Sequence, residues 1–208
     1  GEEGEEVPDA PAQPKEAKEE KKESKPSKAA EDSDEYDVVV LGAGPGGYVA
    51  AIRAAQLGGK VAIVEKDYFG GTCLNVGCIP TKTLVKSAEI LHGIDQGKAR
   101  GITVGDVNID MKKVKQNKDQ VVKNLTGGIQ NLLKSNKVDI FDGLGTVKAG
   151  DKVTITDGKD SGKTIAYKNL IVATGSLPVV PPIPGLDLEG IMTSTEILDL
   201  DEIPKELV

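Results

Sequence analysis

The sequence predicts an α/β fold with a parallel sheet and flanking helices, an antiparallel β-meander late in the chain, and a disordered leader ahead of both. Three observations carry this prediction. Two short apolar, β-branched runs, YDVVVL at 36–41 and KVAIVEK at 60–66, bracket a glycine turn and an alanine-rich stretch, which is the order of a βαβ unit with a right-handed crossover. From 138 to 168 the chain breaks into short β-prone pieces separated by glycine and aspartate, the pattern of a meander. Residues 1–35, in contrast, hold one valine and no Leu, Ile, Phe or Met.

The leader bears the charge. It has 13 acidic residues and 6 lysines, leaving twenty of each sign in the rest of the chain, so the net charge of -7 belongs to residues 1–35. A Pro, Ala, Lys and Glu composition cannot bury enough apolar surface to offset the entropy of ordering. Residues 1–35 therefore read as a linker, spanning roughly 30 Å as flexible coil; a solubilising tail is the alternative.

No run approaches the ~20 apolar residues of a membrane helix, and the leader lacks the apolar core of a secretory signal. Its acidity argues against a mitochondrial transit peptide. The expectation is a cytoplasmic protein with no membrane partner. A neutral remainder with few aromatics gives no electrostatic footprint for nucleic acid.

After the first run, GAGPGGYVAAIRAAQLG reads as a helix that stops at Gly58 and Gly59. Residues 81–92 and 109–134 read as helices, the second with Val114, Val121, Leu125, Ile129 and Leu132 at helical spacing and Gly127 and Gly128 as its expected bend. LIVATGS returns to the parallel sheet, and the proline cluster LPVVPPIPG leaves it in extended form. DEIPKELV at the end reads as the start of another apolar strand, so truncation is expected.

Gly42, Gly44 and Gly47 form GxGxxG directly after a predicted strand and at the start of a predicted helix, the context that makes this pattern informative. The first glycine permits the turn, the second lets a pyrophosphate approach, and the third lets helix and strand pack closely. Glu65 ends the second strand, where a carboxylate accepts hydrogen bonds from an adenosine ribose and repels a 2′-phosphate. A Rossmann-like dinucleotide site follows; the fingerprint does not separate FAD from NAD.

Both cysteines lie in GGTCLNVGCIPTK. Five positions apart, Cys73 and Cys78 would sit about 140° apart on an ideal helix, so a working pair needs a distorted helix entry, which Gly77 and Pro80 permit. Zinc would need further ligands, and the single histidine, His92, is distant in sequence. A static staple closing so short a loop contributes little. A dithiol that cycles is the better reading.

GGTCLNVGCIPTK resembles the active-site segment of the flavin disulfide reductases, and the wording CLNVGCIPTK is most similar to the dihydrolipoamide dehydrogenases of 2-oxoacid dehydrogenase complexes. The resemblance runs from residue 36 to 208 and takes in the glycine turn, Glu65, the cysteine segment and ATG at 173–175. It implies a flavoprotein oxidoreductase with FAD near Gly70, Gly71, Thr72, Ala173, Thr174 and Gly175. It assigns Cys73 as the interchange thiol, Cys78 as the thiol against the flavin, and Lys82 as a cation near flavin N5. It also implies division into a linker (1–35), an FAD-binding domain (36–186) and a connection (187–208) to a missing NAD-binding domain. The implied partners are a lipoyl domain of a 2-oxoacid dehydrogenase complex, an upstream lipoyl domain in the same polypeptide, and a second copy in a homodimer. His92 matches no acid-base histidine pattern of the family, so it reads as a surface or packing residue. Lacking a second GxGxxG and that histidine, the chain alone is expected not to complete the NAD-linked cycle. A mercuric or glutathione type of flavin disulfide reductase, and a noncatalytic nucleotide-binding or assembly module, are the competing readings.

Overall fold

The computed structural model describes residues 35–208, and the expected linker falls outside the described residues except for Glu35, which opens the first strand. In chain order the elements are β1 (Glu35–Leu41), α1 (Pro45–Gln56), β2 (Val61–Glu65), α2 (Gly71–Asn75), α3 (Cys78–Lys98), α4 (Met111–Ser135), β3 (Asp139–Asp142), β4 (Gly145–Lys148), β5 (Lys152–Ile155) and β6 (Thr164–Val172). They form one six-stranded sheet in the order β3-β2-β1-β6-β5-β4. The pairs β3·β2, β2·β1 and β1·β6 are parallel, whereas β6·β5 and β5·β4 are antiparallel. The α/β class with a parallel sheet and an antiparallel addition is thus present.

Two local assignments differ from the sequence reading. Residues 139–142 join the parallel side, with Ile140 opposite Ile63, instead of starting the meander. The reason is α4: a 25-residue crossover can carry the chain back to a parallel edge, which no tight turn can do. KTIAYKN and LIVATGS, read as separate pieces, share one nine-residue strand, β6. Its start pairs antiparallel with β5, and from Ala166 onward it pairs parallel with β1. Lys168 and Asn169 interrupt the apolar pattern without breaking the strand because Asp37 on β1 satisfies them. Lys168 Nζ donates to Asp37 Oδ1 at 2.7 Å, and Asn169 Nδ2 donates to the Asp37 carbonyl at 3.0 Å.

The central strands are apolar on both faces, as strands covered on both sides must be. Val40, Val61 and Ile63 pack with Ala51 of α1, Leu74 of α2 and Ile129 and Leu133 of α4. Val39, Leu41 and Val64, on the opposite face, pack with Val153, Ile155, Ile165 and Tyr167. The antiparallel limb therefore folds across the face that the helices leave open.

Helix α1 begins at Pro45, where the missing N–H costs nothing, and ends before Gly58, whose φ of 92° suits the left-handed C-terminal position. Asp110 caps α4 by accepting from the Lys113 amide at 3.2 Å, and the helix continues through Gly127 and Gly128. After β6 the chain crosses to a 3-10 turn, Glu196–Asp199, fastened to α4. Lys118, only 5% exposed, holds Asp119 at 2.9 Å and Asp199 at 3.0 Å, and Lys115 reaches Asp199 and Asp201. Hydrogen bonding from Lys118 chiefly keeps the Asp199 carboxyl below its ordinary range.

Candidate functional site

The carboxyl ends of parallel strands are where an open α/β sheet binds ligands. Here the segments that follow β1, β2, β3 and β6 enclose a cleft of about 880 Å³. It is lined by Gly42, Gly44, Glu65, Gly71, Thr72, Cys73, Cys78, Ala173, Thr174 and Gly175, which were singled out in the sequence. Gly47 and Gly70 lie beneath this surface, and Lys82 lines an adjoining groove between α3 and α4 with Ile79 and Asn117.

Three loops are stitched together at Ala43, a fully buried residue. Its amide donates to Glu65 Oε2 at 2.6 Å, and its carbonyl accepts from the Gly70 amide at 2.8 Å. The other Glu65 oxygen accepts from the Asp67 amide at 2.8 Å. A carboxylate offers about four acceptor sites, so Glu65 can brace the glycine loop and still receive further donors.

The cleft floor is bare backbone. A Cβ on Gly71 would stand 2.7 Å from the Gly44 Cα, so the glycine turn and the cysteine loop meet without side chains between them. The first turn of α1 borders the same floor with the positive end of its dipole; its Gly47 and Tyr48 amides are turned to the Gly44 carbonyl, which leaves the Gly46 N–H on the cleft side. A pyrophosphate-bearing dinucleotide fits this donor set and this close backbone approach.

The cysteine segment is a broken helix. Cys73 sits in the five-residue α2, Val76 and Gly77 interrupt the helical path, and Cys78 is the first residue of α3. Pro80 lies in the first turn of α3, where its lack of an N–H is tolerated. Asn75 ties the end of α2 back to its start, donating from Nδ2 to the Phe69 and Gly71 carbonyls at 2.8 and 2.9 Å. Sequence reasoning passed over Asn75; its place between the two cysteines was the available signal. It also missed the strand-β3 loop at 143–145, because that strand was read into the meander.

Both thiols are free, Cys73 partly buried and Cys78 exposed on the cleft. Hydrogen bonding to Cys78 raises the Cys73 thiol above its ordinary value, burial and the charge of an ionised Cys78 add to this, and Lys82 opposes it. Alkylation of Cys73 in the reduced protein should therefore rise with pH later than for an unperturbed thiol, because thiolate accumulates only as pH climbs through the raised value. Peptide mass spectrometry across a pH series checks this; a Cys73 profile matching a free thiol contradicts it.

His92 lies on an exposed part of α3, with its Nε2 2.9 Å from Gln96 Nε2. It is absent from the cleft lining. Among the described residues no group of three or more His, Cys, Asp or Glu is placed to hold a metal, and no helix is long and apolar enough to cross a membrane.

Comparison with known proteins gives one consistent result. The profile of the pyridine nucleotide-disulphide oxidoreductase family matches residues 36–208. A dihydrolipoyl dehydrogenase from Acholeplasma laidlawii is 46% identical, over 85% of this chain and 52% of its own length. One from Geobacillus stearothermophilus is 48% identical, over 84% of this chain and 37% of its own. Among solved structures, the HOCl-induced flavoprotein disulfide reductase RclA from Escherichia coli aligns with a TM-score of 0.65 and 31% identity, covering 81% of this chain and 35% of that one. The chain thus spans about half or less of the length of these relatives.

Proposed function

Because this chain belongs to the pyridine nucleotide-disulphide oxidoreductase family, we propose that it is the FAD-binding, dithiol-bearing part of a dihydrolipoamide dehydrogenase. The observation that carries this reading is the opening of both thiols into the same cleft as the glycine loop and Glu65. FAD bound there supplies a two-electron acceptor beside the sulfur pair.

In the proposed reaction Cys73 and Cys78 begin as a disulfide. A thiolate of the dihydrolipoyl group attacks the Cys73 sulfur; the Cys73–Cys78 bond breaks, and Cys78 leaves as thiolate. The second substrate sulfur then attacks the first, closing the lipoyl disulfide and releasing Cys73. The substrate has lost two electrons and two protons, and the cysteine pair holds the electrons. Cys78 suits the leaving sulfur by position: it opens the 21-residue α3 at the N-terminal end of the helix, and hydrogen bonding to it raises the Cys73 thiol above its ordinary value. Lys82, whose charge reaches Cys73, is proposed as the cation near the flavin. Residues 36–186 form the cofactor domain and 187–208 the connection onward in this reading. NAD, a lipoyl-domain partner and a homodimer belong to the full-length enzyme.

The division of labour between the sulfurs can be tested by trapping. With Cys78 removed, Cys73 of Cys78→Ser should attack an acyclic disulfide such as hydroxyethyl disulfide and retain half of it as a mixed disulfide, seen as a mass adduct on the Cys73 peptide, because this probe, unlike the lipoyl ring, has no second sulfur with which to close again. In the FAD-loaded protein Cys73→Ser should label at least about tenfold more slowly, since a flavin seated against Cys78 would block its approach to the probe and exchange depends on access. Equal or faster labelling at Cys78 would reverse the assignment.

A further inference from the structure

One residue of the cleft has no role in the reaction described above. Tyr68 lies three positions beyond Glu65, lines the cleft and is 40% exposed. Among the described residues that line the cleft it carries the one aromatic ring. No hydrogen bond engages its hydroxyl among the described residues. A large exposed ring on the wall of a ligand cleft, with its polar end unpartnered, is not explained by the packing of the fold.

We propose that Tyr68 is the stacking platform for the adenine ring of the bound dinucleotide. This rests on the FAD reading above. Glu65 fixes where the ribose lies, because its carboxylate is the acceptor at the end of β2 and is held in place by the Ala43 and Asp67 amides. The base on that ribose then leaves the glycine loop along the segment 66–68. Three residues form that segment. Lys66 turns its Nζ to Asp67 at 3.5 Å, so these two side chains satisfy each other. Tyr68 is left to offer a flat apolar face, and a purine offers the matching π-surface. The 143–145 turn, which follows β3, the strand beside β2, lines the same cleft. Stacking is indifferent to which base is presented, so Tyr68 adds affinity to the adenine half and leaves the sulfur chemistry untouched.

The chain has four tyrosines and no tryptophan, so its intrinsic fluorescence comes from tyrosine. Tyr36 and Tyr167 are buried. Titration of the full chain with ADP should quench this emission as the ring stacks on adenine. Calorimetric titration with ADP and with FAD should show Tyr68→Leu binding each about tenfold more weakly than the unaltered chain, the scale of one base on one aromatic. Tyr68→Phe should keep the affinity but lose the ADP-linked quench, which identifies the ring without its phenol as sufficient. Thermal melting establishes that both variants are folded; a role in packing alone would lower the melting temperature without sparing affinity in the phenylalanine variant. Undiminished ADP affinity in Tyr68→Leu, with normal binding by the unaltered chain, overturns the Tyr68 assignment and leaves the FAD reading standing. Failure of the unaltered chain to bind either ADP or FAD overturns both.

Discussion

Gly47→Ala is expected to destabilise the protein by about 3 kcal/mol, the upper end of the usual cost of overpacking. The new Cβ would stand 1.8 Å from the Gly42 carbonyl oxygen and 2.9 Å from its carbon, and both belong to backbone that cannot rotate away. Relief requires α1 to back off from β1. That movement would pull the glycine loop from Ala43, and with it the two hydrogen bonds that join the loop to Glu65 and Gly70. For a domain of this size the melting temperature should fall by roughly 6–12 °C, and ADP binding should be lost. Gly46→Ala is the matched control. Its nearest neighbour would be the Ala173 Cβ at 3.9 Å, an ordinary contact. Differential scanning calorimetry of the two variants separates them; equal melting temperatures would contradict the close-approach argument.

Serine at either cysteine should halve the reducing capacity of the FAD-loaded chain. With an intact disulfide, the unaltered protein is expected to take up roughly four electrons per flavin, two at the sulfur pair and two at the cofactor. Cys73→Ser and Cys78→Ser should each take up about two, because one sulfur cannot form the intramolecular bond. Substrate-driven reduction should fall by a factor on the order of 10³ or more, as when a nucleophile is removed. Anaerobic reductive titration with dithionite reads the stoichiometry. Four electrons in both variants would mean that the second redox centre is not this pair.

The parallel half of the sheet was legible because its strands are buried on both faces and so appear as uninterrupted apolar runs. Strand β3 was not, because its four residues, DIFD, are flanked by polar ends, and only the length of α4 reveals that the chain returns to a parallel edge. Strand β6 was divided at Lys168 and Asn169, polar residues whose partner, Asp37, lies more than a hundred positions away. The same distinction holds for the site. Gly42, Gly44, Glu65 and the cysteines belong to local patterns tied to strand ends, so sequence located them. Helix α3 was read from Thr81, three residues late, since Pro80 looks like a helix boundary when it is in fact a first-turn residue. The Asn75 contacts are local, to Phe69 and Gly71 of the same segment, whereas the place of Tyr68 in the cleft depends on how loops from separate strands converge, and no local pattern records that.

Anaerobic titration of the FAD-loaded, oxidised chain with dihydrolipoamide, followed by visible absorption, tests whether Cys73 and Cys78 form a redox pair against the flavin. As the disulfide opens, a long-wavelength absorption from the Cys78 thiolate beside the oxidised ring should grow, and it should be missing in Cys78→Ser. Bleaching of the flavin with no such absorption, or the same absorption in Cys78→Ser, would contradict it.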